Sequence, residues 1–179
     1  IEKIQEAIPT SDIFYPNDSL YISGLLSHLD LVRVPEAWNI AKHYGKVNVG
    51  VTDWYFHESH PDLQFDTIIG TNDYHAPNYD HGTVVSGFIN GITNNQIGIA
   101  STGGFNTILK ASNNRTNTDI LYLAMSGCKV INCSWYRTIG YLENDEAFFD
   151  SLLNDYDCLV IFGACNGIDQ GGSLSRIMY

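Results

Sequence analysis

Short runs rich in β-branched and apolar residues recur along this chain, each followed by a helix-length segment, and that alternation most restricts its fold. Val47-Asn48-Val49-Gly50-Val51-Thr52-Asp53 is the first run, and 108–111, 129–134 and 158–164 read as further strands. Pro35 opens a short helix over 35–41, where proline suits the first turn. Segment 82–90 has the spacing of a buried helix, 118–125 reads as a helix with a cap at Thr118 and an early acid at Asp119, and 144–154 as one capped by Asn144. The first twenty residues read as a surface arm with a turn at Pro16-Asn17-Asp18-Ser19, and 54–80 as a polar loop rich in Pro and His. Strands alternating with helices imply right-handed crossovers and a mainly parallel sheet covered on both faces, a three-layer α/β/α architecture. Function in such sheets gathers outside the carboxyl ends of the strands. Asp53, Ser134 and Asn166 fall at or just beyond such ends.

A length of 179 residues suits one domain, and a hydrophobic fraction of 44% with 12% aromatics argues against disorder. The net charge of -11 opposes binding to nucleic acid or anionic lipid, since either would add repulsion without counterion release. No apolar run reaches the roughly 18 to 20 residues that span a bilayer, and the stretch from Ile1 to Glu6 lacks a signal-peptide profile. Cys128, Cys133, Cys158 and Cys165 contain no CxxC pair and no histidines at zinc-ligand spacing. Cys133 and Cys165 sit inside apolar runs and are expected to pack as small hydrophobes, whereas Cys128 and Cys158, each starting a run, leave a bridge between neighbouring strands open.

Three residues carry chemistry. Asp53 closes an apolar strand, a costly place for a carboxylate without a partner. His81, in Asp80-His81-Gly82-Thr83, opens a helix where an imidazole can face a cleft while a carboxylate holds its other nitrogen. Asn166, in Gly163-Ala164-Cys165-Asn166-Gly167, sets an amide donor where a strand enters a glycine turn, as an oxyanion site needs. Each alone has a plainer reading: a helix-capping acid, a satisfied polar histidine, a turn asparagine. Their order along the chain is what points to catalysis.

In that order the chain resembles the subtilisin-like serine peptidases over nearly its whole length, with thermitase-like features. Segment 17–38 looks like the family's N-terminal arm and first helix, the arm then covering residues 1–34, and Val49-Gly50-Val51-Thr52-Asp53 like its aspartate strand. His60-Pro61-Asp62-Leu63, His81-Gly82-Thr83-Val84-Val85-Ser86-Gly87 and Asn94-Asn95-Gln96-Ile97-Gly98-Ile99-Ala100 are similar to the motifs that follow. Val130-Ile131-Asn132-Cys133-Ser134 resembles the substrate strand, and Ala164-Cys165-Asn166-Gly167 the oxyanion motif. The triad order Asp, His, Ser is that of subtilisin. The resemblance implies a secreted serine-type endopeptidase acting on protein or peptide substrates. His81 would be the general base, Asp53 its orienting acid and Asn166 the oxyanion donor, with Ser134, Trp135, Tyr136, Ala164 and Cys165 lining the substrate cleft.

The departures matter as much. Trp54 and Tyr55 follow Asp53 where the family has a small residue and glycine, Val84 replaces a histidine, and Trp135-Tyr136-Arg137 replaces glycines after the substrate strand. Cys165 stands for a glycine in the wall of the specificity pocket. No Gly-Thr-Ser-x-Ala segment follows Asn166, and Ser173 and Ser175 lie too close to it in a Gly-Ser segment. The expectation is therefore one peptidase domain cut short on its C-terminal side, its nucleophile on a complementing segment of the same protein. The alternative is a catalytically inert module that binds peptides or a partner through Trp54, Tyr55, Trp135 and Tyr136.

Asp53, His57, His60, Asp62, His75 and His81 do not make a hydrolytic zinc set, for no His-Glu-x-x-His is present. Calcium is the expected cofactor, because Asp18, Asp62 and Asn95 stand where thermitase-type relatives gather oxygen ligands.

Overall fold

The computed structural model describes residues 13–70, 80–135 and 142–163. The chain divides into two compact units: Ile1–Val47, Glu58–Gln64 and Ser86–Ile108 form one, and Asn48–His57, Phe65–Val85 and Leu109–Tyr179 the other.

In the first unit, helices α1 (Ser19–Ile22), α2 (Ser27–Leu31) and α3 (Val34–Ala41) follow one another closely. Pro35 lies in the first turn of α3 as its fixed φ favours. Leu26, Leu29, Val34, Trp38 and Ala100 form a buried cluster, and Phe14, Leu20, Tyr21 and Ile99 pack against it. Within 13–34, Leu26 and Leu29 are buried with Trp38, Leu20 packs partly buried against them, and Asp18 is wholly buried. Gly104, at φ +53°, lies so close to Trp38 that a Cβ would stand 2.5 Å from the indole ring.

The second unit is built on a sheet of order β2-β3-β1-β4-β5, formed by β1 (Val47–Thr52), β2 (Phe65–Ile69), β3 (Thr107–Ser112), β4 (Val130–Cys133) and β5 (Leu159–Phe162). β1 pairs with β4, β2 with β3 and β4 with β5, all in parallel. The α/β reading holds, and four strands lie where the β-branched runs place them. β2 corrects the expected loop over 54–80. Its Phe-Asp-Thr-Ile-Ile run is short and set among polar residues that read as loop, although Phe, Thr and Ile favour a strand, and it pairs with β3 and carries the Lys110–Asp66 ion pair.

Helices α4 (His81–Asn90), α5 (Asn117–Met125) and α6 (Leu142–Tyr156) complete the described elements. The cap of α5 is Thr116 rather than Thr118, its hydroxyl accepting from the Asp119 N–H. α6 begins at Leu142, so Asn144 lies inside the helix instead of capping it. The helix is followed by Asp157 at φ +52°, a left-handed residue that ends the turn.

Ile120, Leu123 and Ala124 of α5, Leu152 of α6 and Ile131 and Cys133 of β4 form one core with Cys128 and Cys158. Gly50 of β1 makes room for it, since a Cβ there would meet Ile131 at 3.0 Å and Leu123 at 3.1 Å. Cys128, Cys133 and Cys158 are buried and form no disulfide among the described residues, and burial pushes the Cys128 thiol up to about 11. Along β5, Val160 and Phe162 turn to this core, while Leu159 and Ile161 are exposed, the period-two pattern of a strand. Among the described residues no helix is long and apolar enough to cross a membrane.

Candidate active site

Asp53 is the first residue beyond β1, and its N–H donates to the Ser112 carbonyl at the end of β3 (3.1 Å). That contact fixes the backbone where the strands stop, at the edge where chemistry concentrates in parallel sheets. The carboxylate is nearly buried and does not stand alone: Oδ1 accepts from the Trp54 N–H at 2.6 Å and lies 2.8 Å from His81 Nδ1, with Oδ2 at 2.9 Å from the same nitrogen. The acid side chain is 4% exposed and the imidazole 53%. A carboxylate on Nδ1 holds the ring proton there, which leaves Nε2 as an acceptor in the neutral ring.

His81 owes its place to its two neighbours. The Gly82 N–H donates to the Trp54 carbonyl (2.8 Å) and the Thr83 N–H to the Tyr55 carbonyl (3.2 Å), so the first turn of α4 rests directly on the chain after Asp53. A Cβ on Gly82 would lie 2.7 Å from the Trp54 carbonyl and 2.8 Å from the Tyr55 carbonyl and the Phe56 ring, a separation only glycine tolerates. The Thr83 hydroxyl then accepts from the His57 N–H at 2.8 Å. Gly82 and Thr83 were not singled out from the sequence as separate contributors. Their signal was the His-Gly-Thr tripeptide itself.

No family model matches the sequence. No curated protein matches it either. Among solved structures, MycP1 with its N-terminal propeptide removed matches with a TM-score of 0.56 at 20% identity over 77% of this chain. The fold is α/β with a parallel five-stranded sheet, consistent with a subtilisin-like domain. The chain spans 48% of the MycP1 chain, about half its length.

Within the subtilisin-like frame, the departures after Asp53 have a visible cost. Tyr55 takes φ +46° where a glycine would be unstrained. Trp54 is 43% exposed, and the Arg115 guanidinium lies over its ring at 4.0 Å from the centroid. Trp135 folds inward: its indole N–H reaches the Thr52 hydroxyl (2.7 Å) and carbonyl (3.1 Å), and its ring meets Phe162 edge to face. The Ser134 hydroxyl accepts from the Asn132 amide at 2.9 Å. Tyr136, Ala164, Cys165 and Asn166 lie outside the described residues.

Asp18, Asp62 and Asn95 come together in the first unit. Asp18 Oδ2 accepts from the Asn94 N–H (2.7 Å), and Asp62 accepts from the Asn95 amide (2.7 Å) and the Ile99 N–H (2.9 Å). Gly98, at φ +52°, packs against Asp62, whose oxygen would stand 2.2 Å from an added Cβ. Both carboxylates are buried, and among the described residues Asp18 Oδ1 has no hydrogen-bond donor. Burial raises the Asp18 pKa above its ordinary 3.8, with the Asp62 charge adding to the effect and backbone N–H donors opposing it. Among the described residues no three His, Cys, Asp or Glu side chains are placed to hold a metal, so a cation here would rely on two carboxylates, an amide and main-chain carbonyls.

Proposed function

We propose that this chain carries the acid, base and oxyanion donor of a subtilisin-like serine endopeptidase, with the nucleophilic serine on a segment outside the 179 residues. The observation that carries the reading is the Asp53–His81 contact at 2.8 Å, placed at the carboxyl end of β1 with the imidazole half open to solvent. In this reading His81 Nε2 takes the proton of the serine hydroxyl as its oxygen attacks the peptide carbonyl. It returns that proton to the leaving amine as the C–N bond breaks, and Asp53 stabilises the imidazolium in between. Water repeats the cycle on the acyl-enzyme. Asn166 donates to the oxyanion in both halves, a role that rests on the resemblance. Ser134, Trp135, Tyr136, Ala164 and Cys165 would line the peptide cleft.

The test is His81→Ala in the complete protein. We expect hydrolysis of a peptide substrate and labelling by a serine-directed phosphonate to disappear while circular dichroism stays unchanged. Labelling at the wild-type rate in that variant would remove His81 from the role. A wild-type protein that is never labelled but binds peptides would instead be the inert module.

Calcium belongs to the same reading, and the unpartnered Asp18 oxygen supports it. Asp18 Oδ1 is a buried acceptor without a donor beside a second buried carboxylate, an arrangement that a divalent cation relieves. Asp18, Asp62 and Asn95 would hold the ion, which would neutralise the two like charges and tie residue 18 to the 94–99 loop.

A further inference from the structure

Resting on the peptidase reading, we propose that Trp135 is a positioning residue for Asp53, holding the end of β1 so that the carboxylate meets His81. The case begins with one peptide unit. The Thr52 carbonyl and the Asp53 N–H are its two ends, and the unit is planar, so fixing both ends fixes the direction in which Asp53 leaves the strand. On the β3 side the Asp53 N–H donates to the Ser112 carbonyl at 3.1 Å. On the β4 side the last rung of the ladder pairs Thr52 with Cys133, and beyond it the Trp135 indole N–H donates to the Thr52 carbonyl at 3.1 Å. The same N–H reaches the Thr52 hydroxyl at 2.7 Å, and that hydroxyl donates to Cys133 Sγ at 3.4 Å. Thr52 is wholly buried, so water does not replace the indole if it is removed.

The clamp is itself firmly seated. Alternation along β4 sends Ile131 and Cys133 into the core, and Trp135 continues that period of two past the end of the strand. Its N–H contacts the last residue of β1, while its ring meets Phe162, the last residue of β5, edge to face with centroids 5.2 Å apart. Phe149 of α6 packs on Phe162 in the same manner at 5.7 Å. An indole combines apolar surface with one N–H donor, so it can pack in this core and still serve a carbonyl, which phenylalanine or leucine cannot do. That N–H is committed to Thr52, so its effect on hydrolysis runs through Asp53. A small displacement of the acid is enough to slow proton transfer at His81.

The test uses the complete protein with Trp135→Phe, which keeps a ring beside Phe162 and removes the N–H. We expect kcat for a peptide substrate and the phosphonate labelling rate to fall on the order of three- to tenfold, with KM nearly unchanged. The effect should vanish in an Asp53→Asn background, because a residue that acts through Asp53 then has nothing left to position. In proton NMR the His81 Nδ1–H signal, carried downfield by its carboxylate partner, should move or broaden in Trp135→Phe. Should that variant fold poorly, the benzothienyl analogue of tryptophan at position 135 keeps the shape of the ring with sulfur in place of the N–H, and the same losses are expected. A rise in KM with kcat retained would make Trp135 a cleft residue and overturn the proposal. So would a lower melting temperature with kinetics and proton signal unchanged, or losses that add in full to those of Asp53→Asn. A wild-type protein that is never labelled ends the peptidase reading, and the His81 proton signal then still decides whether Trp135 holds the Asp53–His81 pair.

Discussion

Gly82 shows how narrow the tolerance around the Asp–His pair is. An added methyl would come within 2.7 Å of the Trp54 carbonyl, so Gly82→Ala must push α4 away from the chain that carries Asp53. We expect a loss of about 1–3 kcal/mol in urea unfolding, together with a fall in phosphonate labelling through displacement of His81. Unchanged stability and labelling would mean that the helix start does not rest on residues 54 and 55. Asp18 offers a test with a definite sign. Its native pKa is raised above 3.8, so between that value and the raised one the native state binds more protons than the unfolded state, and stability falls as pH rises through the window. Without calcium, Asp18→Asn should therefore stabilise the protein at neutral pH, and the gain should fade as the pH drops below the raised pKa. A destabilising substitution across the whole range would contradict the burial penalty.

Among the elements, β5 stands out because Leu159 and Ile161 are exposed on the last described strand of the sheet. An apolar row on an edge strand invites association. Light scattering on the 179-residue chain should show self-association that Leu159→Lys with Ile161→Lys reduces, whereas a monodisperse wild-type monomer would refute this. Strands β1, β3, β4 and β5 were legible because β-branched runs of four to six residues announce themselves. β2 was not, since the short Phe65-Asp66-Thr67-Ile68-Ile69 run sits between polar, Pro- and His-rich stretches that read as one loop. The helix starts at Thr116 and Leu142 moved for a related reason: a cap is a matter of which side chain reaches which N–H, and several polar residues in the stretch could serve.

At the scale of the whole molecule, the buried acids at 18 and 62 make calcium a stability question. Saturating calcium, but not magnesium, should raise the melting temperature of the complete protein on the order of 5–10 °C, and Asp62→Ala should remove the effect. A melting temperature indifferent to calcium would leave Asp62 as a hydrogen-bond acceptor for Asn95 and Ile99 alone. The amino-acid sequence by itself determined the α/β class, because β-branched runs are local patterns, whereas the pairing of Asp53 with His81 was expected only from the resemblance and is a contact across 28 residues. Only the tertiary structure decided the rest. That Asp18 is buried with an oxygen lacking a donor, that Trp135 turns inward to Thr52, and that Arg115 comes to lie over Trp54 are contacts between segments distant along the chain. No periodicity or motif encodes such contacts, since they arise from where the packed sheet and its loops bring those segments together.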